Sequence, residues 1–211
     1  MENETNNLLL ISGKVDTCPV FSHESHGINF FSFSLLSKRL SGTFDRIPVI
    51  IREDLIIPEL ADGEFVSVKS ELRSFNKKTD TGNKLIISAF VREVAPAPFG
   101  EYENSLELSG TLCKDPVYRK TPLGREICDM MLAINRRYGR SDYLPLIAWG
   151  QNARRAAELV AGDEINLLGR LQSREYTKTV DGVETVRTTY EVSVSAFEQM
   201  SEKARAYGVY S

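Results

Sequence analysis

The chain carries nearly the same text twice. Asn7 falls on Asn104, Gly13 on Gly110, Pro19 on Pro116, Phe21 on Tyr118, Gly27 on Gly124, Arg39 on Arg136, Asp45 on Asp142 and Pro48 on Pro145, all at one spacing of 97 (104 − 7). Beyond Pro48, one or two extra residues in the second copy restore the match, pairing Gly63 with Gly162 and Leu72 with Leu171. A unit of roughly a hundred residues is domain-sized rather than a short solenoid repeat, so each copy can bury its own core. Fold and function should therefore be legible within one copy.

Composition excludes little but does so cleanly. The 211 residues are 42% hydrophobic and 26% charged, as in an ordinary soluble globular protein, and no apolar run approaches the roughly 18 residues that a membrane helix needs. The acidic, polar start MENETNN predicts no signal peptide. Cys18, Cys113 and Cys128 are odd in number and far apart, which suits reduced thiols in a cytoplasmic protein better than a disulfide framework. With a net charge of −3, any attraction to a polyanion must come from a local basic face.

Each copy is written mostly in strands. In the second, LELSGTL, EICDMMLAI, DYLPLIAW, EINLLGRL and VRTTYEVSVSAF are short apolar or alternating runs separated by Gly, Pro and Asp, the pattern of β-strands. A helix is predicted over NARRAAELV, between the third and fourth strands, with Asn152 as its N-cap and Gly162 as its stop. The order β-β-β-α-β-β is that of the OB-fold, a small Greek-key barrel that binds single strands on one face. The first copy has the same strands, with Pro58 shortening the intervening helix in REDLIIPEL. The expected fold is all-β, two tandem OB-fold barrels. Residues 1–95 form the first, 96–103 a linker around APAPFGEYE, 104–198 the second and 199–211 an extension.

LSGTLCKDPVYRKTPLG, LAINR, SDYLPLIAWGQNA, GDEINLLGRLQSREY and RTTYEVSV stand in an order and spacing that resembles bacterial single-stranded-DNA-binding proteins, across most of residues 104–198. The first copy, with FSHESHG, KRLSGTFDRIPV, ELRSFN and LIISAFVRE, looks like the divergent partner domain of two-domain members. The resemblance implies non-catalytic, cooperative and largely sequence-independent coating of single-stranded DNA in replication, repair and recombination. It also implies four OB-folds around a wrapped strand, which a chain carrying two reaches as a homodimer, and a cytoplasmic, nucleoid-associated location. The resemblance also implies replication or repair proteins as partners, although the family's acidic tail tip, one route of their recruitment, is not written in SEKARAYGVYS.

Such binding needs cations that track phosphates and flat side chains that stack on bases. On the third strand of the second copy, alternation sends Leu144, Leu146 and Ala148 inward and Tyr143, Ile147 and Trp149 outward. On the fourth, Ile165, Leu167, Gly169 and Leu171 face in, leaving Arg170, Gln172, Arg174 and Tyr176 outside. Tyr143, Trp149, Tyr176, Tyr138, Tyr118 and Phe75 are the candidate stacking residues. Arg119, Arg136, Arg137, Arg140, Arg170, Arg174 and Lys178, with Arg46, Arg52 and Arg73 in the first copy, are the candidate phosphate contacts.

Each has a plainer reading. A strand Trp or Tyr often packs a core or an interface, and Tyr118 can equally close the barrel end. The arginines at 136, 137 and 140 can be a solvated loop, and Arg154 and Arg155 read better as a solvated helix face. At the spacing of 97 Tyr143 becomes Arg46 and Trp149 becomes Arg52. On the fourth strand, where the spacing is 99 (174 − 75), Arg174 becomes Phe75 and Gln172 becomes Arg73. The first copy thus keeps cations and loses most of its stacking platform, so the second is expected to carry most of the affinity. Alternatively the first is an assembly domain, packing Phe30, Leu36 and Phe44 on a partner subunit.

Enzyme chemistry finds no footing, and no cofactor is expected. His23 and His26 stand in a Ser/Gly-rich turn with no Cys, Asp or His spaced to complete a metal site, and no nucleophile elbow, Walker loop or dinucleotide fingerprint occurs. Two other classes remain open: an OB module that binds partner proteins, as a primosome accessory would, and an OB appendage of an enzyme.

Overall fold

The computed structural model of the chain describes residues 6–79, 82–136, 139–180 and 183–200. It forms two compact units, one gathering Leu8–Leu106 with Leu171–Glu191, the other Met1–Asn7, Glu107–Arg170 and Val192–Ser211.

The first copy has five strands: β1 Asn7–Ser25, β2 Ile28–Lys38, β3 Phe44–Arg52, β4 Phe65–Thr79 and β5 Gly82–Pro96. They lie in the order β2-β3-β5-β4-β1, and β1 also pairs with β2, which closes the barrel. Closure leaves no free sheet edge. The pairings are antiparallel except for β3 beside β5, where Val49 meets Ala89. Leu9, Ile11, Val15, Phe33, Leu35, Ile47, Val49, Ile51, Val68, Leu72 and Ala89 fill the interior, every second residue of each strand as the pleat dictates. Between β3 and β4 there is only one 3-10 turn, Glu53–Leu55, because Pro58 cannot continue a helix.

The second copy repeats this order. Its strands are β6 Glu103–Leu112, β7 Val117–Lys120, β8 Glu126–Asn135, β9 Ser141–Trp149, β10 Glu164–Val180 and β11 Val183–Gln199. They run β6-β10-β11-β9-β8-β7, with β6 on β8 closing the ring, and β9 beside β11 is again parallel. β7 is a strand beyond those expected, set apart from β6 by a break at Pro116, which lacks the N–H that a continuous ladder would use. Gly13 and Gly110 do the same job in the two copies. A Cβ on Gly13 would stand 2.2 Å from the Leu36 carbonyl oxygen, and one on Gly110 2.4 Å from that of Ala133, so only glycine lets the bent first strand cross the second.

The helix differs from expectation. α1 is Gln151–Ala156, stopping short of Val160, and its N-cap is Gly150 at φ 55° with no side-chain cap. Asn152 lies inside the helix and donates Nδ2 to the Ser195 carbonyl at 2.8 Å. Gly162, at φ 93°, turns the chain so that its N–H reaches the Leu112 carbonyl at 2.9 Å.

Residues 96–103 are fastened to the first unit. Ala97 donates its N–H to the Phe65 carbonyl at 2.9 Å, and Tyr102 stands edge-on to Phe44 and Phe65, with centroids at 5.7 and 5.4 Å. The β10–β11 hairpin from Leu171 to Glu191 belongs to the same unit. Asn104 accepts the Leu171 N–H and donates back to its carbonyl. Ser173 gives both N–H and Oγ–H to Asp45 Oδ1, at 2.7 and 2.8 Å, and the Tyr190 hydroxyl donates to the Arg46 carbonyl at 3.0 Å.

Candidate nucleic-acid interface

A row of side chains crosses three strands of the second copy on the outer face. Arg119 on β7 is in register with Ile127 on β8, and Ile127 with Trp149 on β9. Ile127 is buried and Trp149 is 39% exposed, so the indole is the outermost ring of the row. Six residues back along β9, Tyr143 faces Ala133 and is 50% exposed. Two exposed aromatic rings, one beside Ile127 and one beside Ala133, thus stand where a flat base can reach them. Arg119 is tied to Asp129, Nε to Oδ2 at 2.8 Å, with both side chains substantially exposed. An exposed pair of this kind is worth only about 0–1 kcal/mol, so Asp129 holds the guanidinium beside the row without locking it there.

Ile147 does not join Tyr143 and Trp149. Alternation placed it outside, yet it is 5% exposed, hemmed in between Asp129 on β8 and Ser193 on β11. Tyr118 also stands apart from the row. It is in register with Cys128, a core position with no exposure, so its ring lies on the opposite face of the β7–β8 ribbon from Trp149. Its hydroxyl donates to Glu126 Oε1 at 2.7 Å, while Arg154 donates Nε to Glu126 Oε2 at 2.7 Å. The Arg154 and Tyr118 bonds hold the Glu126 carboxyl below its usual range, and the same Glu126 bond raises the tyrosine. Arg154 is 68% exposed, as expected of a solvated helix face, and from there shares Glu126 with Tyr118.

Arg136 is not a free cation. Its Nε bonds Asp142 Oδ2 at 2.5 Å and its Nη2 bonds Oδ1, around a carboxylate with no exposure. The first copy has the equivalent pair, Arg39 on Asp45, with Nε to Oδ2 at 2.7 Å. Each pair spans the loop between the second and third strands, which a backbone bond also closes, Arg136 N–H to Arg140 at 2.7 Å and Arg39 N–H to Thr43 at 2.8 Å. Burial raises the Asp45 carboxyl, but the Arg39 and Ser173 bonds outweigh it and leave the group below its ordinary pKa. Arg140 is exposed on that loop, whereas Arg137 and Tyr138 lie outside the described residues.

The outer residues of β10 separate. Arg170, partly exposed, stays in the unit of Trp149, while Gln172, Arg174 and Tyr176 belong to the unit of the first copy. Gln172 is buried and donates Nε2 to Glu191 Oε1 at 2.9 Å, so it is structural rather than a groove residue. Arg174 approaches the same Glu191, Nε to Oε2 at 3.6 Å, and remains 57% exposed. Tyr176 is 40% exposed, and the side chain of Lys178 lies outside the described residues. In the first copy Arg46 pairs with Asp16 at 2.6 Å, Arg52 with Asp54 at 2.8 Å and Arg73 with Glu71, while Phe75 is 55% exposed. A separate groove of about 590 Å³ in the other unit is lined by Glu107, Asn166 and Glu198 among others. Its carboxylates suit phosphate poorly.

Comparison with known proteins bears on the family and the fold. The model of the single-strand binding protein family matches residues 103–200. A single-stranded DNA-binding protein of Thermus thermophilus is 38% identical over 80 residues, 36% of this chain and 30% of that protein, so the chain covers under a third of that relative's length. Single-stranded DNA-binding protein 2 of Chlorobaculum tepidum is 30% identical over 112 residues, 48% of this chain and 74% of that protein. The crystal structure of the wild-type single-stranded DNA binding protein from Thermus aquaticus superimposes with a TM-score of 0.69 at 22% identity, covering 93% of each chain. At that identity the likeness establishes the fold, two OB barrels in one chain.

Proposed function

We propose that this chain, which belongs to the single-strand binding protein family, binds single-stranded DNA without sequence preference and does no chemistry on it. The observation that carries the reading is the row Arg119–Ile127–Trp149 with Tyr143 beyond it: exposed rings on one barrel wall, with an arginine held loosely at its end. Every base offers a π-face, so such a wall accepts any sequence, and arginines supply the phosphate contacts. Coating of single strands in replication, repair and recombination, in the cytoplasm and on the nucleoid, is the setting that fits. Two OB-folds in one chain make a homodimer the assembly that brings four together, and closed two-fold symmetry is the commonest way to build one.

Displacement of a labelled oligo-dT from the full chain tests the reading. Unlabelled single strands of mixed sequence should compete at similar concentrations, and duplex of the same length far more weakly. Equal competition by duplex would contradict it.

A further inference from the structure

The first copy has its own three-strand row at the place that Arg119, Ile127 and Trp149 occupy in the second. A shift in register between Phe21 and His23 puts His23 on β1 opposite Phe30 on β2, and Phe30 is opposite Arg52 on β3. Phe30 and Arg52 are the repeat equivalents of Ile127 and Trp149. The order of chemistry is reversed: cation, apolar residue, ring in the second copy; ring, ring, cation in the first. The ring lost from β3 is restored two strands away.

The imidazole of His23 lies flat on Phe30, with centroids 4.9 Å apart and planes 10° apart. Phe30 is buried and also meets Phe90 of β5, tilted, with centroids 5.7 Å apart, and the Arg92 guanidinium is 5.0 Å from the Phe90 centroid. His23 is exposed, so it is the outer leaf of a stack already built on the sheet. The neighbouring charges argue for a base rather than a phosphate as its ligand. Arg52 is held by Asp54, and Glu53 beside it accepts from Asn29. A carboxylate pair at this end repels a phosphate, whereas a base needs only the flat face.

We propose that His23, backed by Phe30, is a base-stacking site of the first copy, taking a nucleobase of single-stranded DNA. This site rests on the single-strand reading given above. It makes the first copy a second stacking platform, beyond a supplier of cations.

The test uses the full chain and two oligo-dT lengths, one of about 8 nucleotides, within the span of a single OB-fold, and one about four times longer. Quenching of Trp149 by the short strand reports the second copy, and anisotropy of the labelled long strand reports the whole. His23→Ala should weaken the long strand about five- to a hundredfold, the effect of one lost base stack, similarly at low and high salt, while Trp149 quenching by the short strand persists. His23→Phe, which keeps a ring and removes the ring nitrogens, should restore the long-strand affinity. Equal long-strand binding by wild type and His23→Ala, or a loss that His23→Phe does not restore, overturns the site. Failure of the wild type to bind either strand overturns the single-strand reading, and the site with it.

Discussion

Replacing Arg136 by alanine should damage stability far more than DNA binding. Asp142 has no exposure and its guanidinium partner is 24% exposed, so the substitution removes the cation that faces a buried carboxylate. Breaking a buried pair from one side costs about 3–5 kcal/mol, and the partial exposure of Arg136 argues for the lower end. For a chain of this size, about 2–4 °C of melting temperature per kcal/mol gives a fall of about 6–20 °C. Arg136→Met combined with Asp142→Leu should recover much of it, since an apolar replacement leaves no charge unpaired. Thermal melts followed by circular dichroism measure the first effect, and oligo-dT binding at several salt concentrations the second. One lost phosphate contact on a single strand changes the logarithmic salt slope by about 0.7, and here the slope should stay put. A melting temperature within about 2 °C of wild type, with a shallower salt slope, would refute the assignment of Arg136 to the scaffold.

Two further outcomes follow from the geometry. Asp129→Asn should strengthen oligo-dT binding a few-fold at low salt, because it releases Arg119 from a weak exposed pair; anisotropy titration of the two proteins side by side would decide it, and weaker binding would show that Asp129 is needed to place Arg119. Asp45 is depressed in the folded chain, so the unfolded chain takes up its proton first, and the stability it contributes is present above its ordinary pKa near about 3.9 and is lost as pH falls through the lower folded value. Urea melts of wild type and Asp45→Asn should accordingly differ at neutral pH and converge in acid, and a gap that persists in acid would contradict this account.

How much of this was legible in the sequence depends on the range of the interaction. Strand order, barrel closure and the shortened connection before β4 follow from the repeat, the period-two runs and Pro58, all local signals. Outward placement of Tyr143 and Trp149 also follows from alternation. Ile147 has the same parity and is buried, because alternation gives a direction and says nothing of what crowds a central strand from both sides. Gln172, Arg174 and Tyr176 sit in the unit of the first copy because Ser173 and Tyr190 bond Asp45 and Arg46, contacts between residues more than a hundred positions apart that no local pattern encodes. Arg136 could have been found. Arg39 and Asp45 recur together as Arg136 and Asp142 while the residues next to the aspartates, Arg46 and Tyr143, differ, and a pair kept in both copies where the wall has changed marks the scaffold. The His23–Phe30 stack escaped because a register shift in β1 moves the histidine opposite the phenylalanine, and even spacing cannot anticipate a bulge.

The most direct test of the central claim is the fluorescence of Trp149, the only tryptophan of the chain, during titration with oligo-dT and with duplex of equal length. Stacking on a base should quench it with single strands, at concentrations that rise with salt, and Trp149→Ala should lose about 1–3 kcal/mol of binding. Saturating binding of oligo-dT with no change in Trp149 emission, or the same quenching by duplex, would contradict the account.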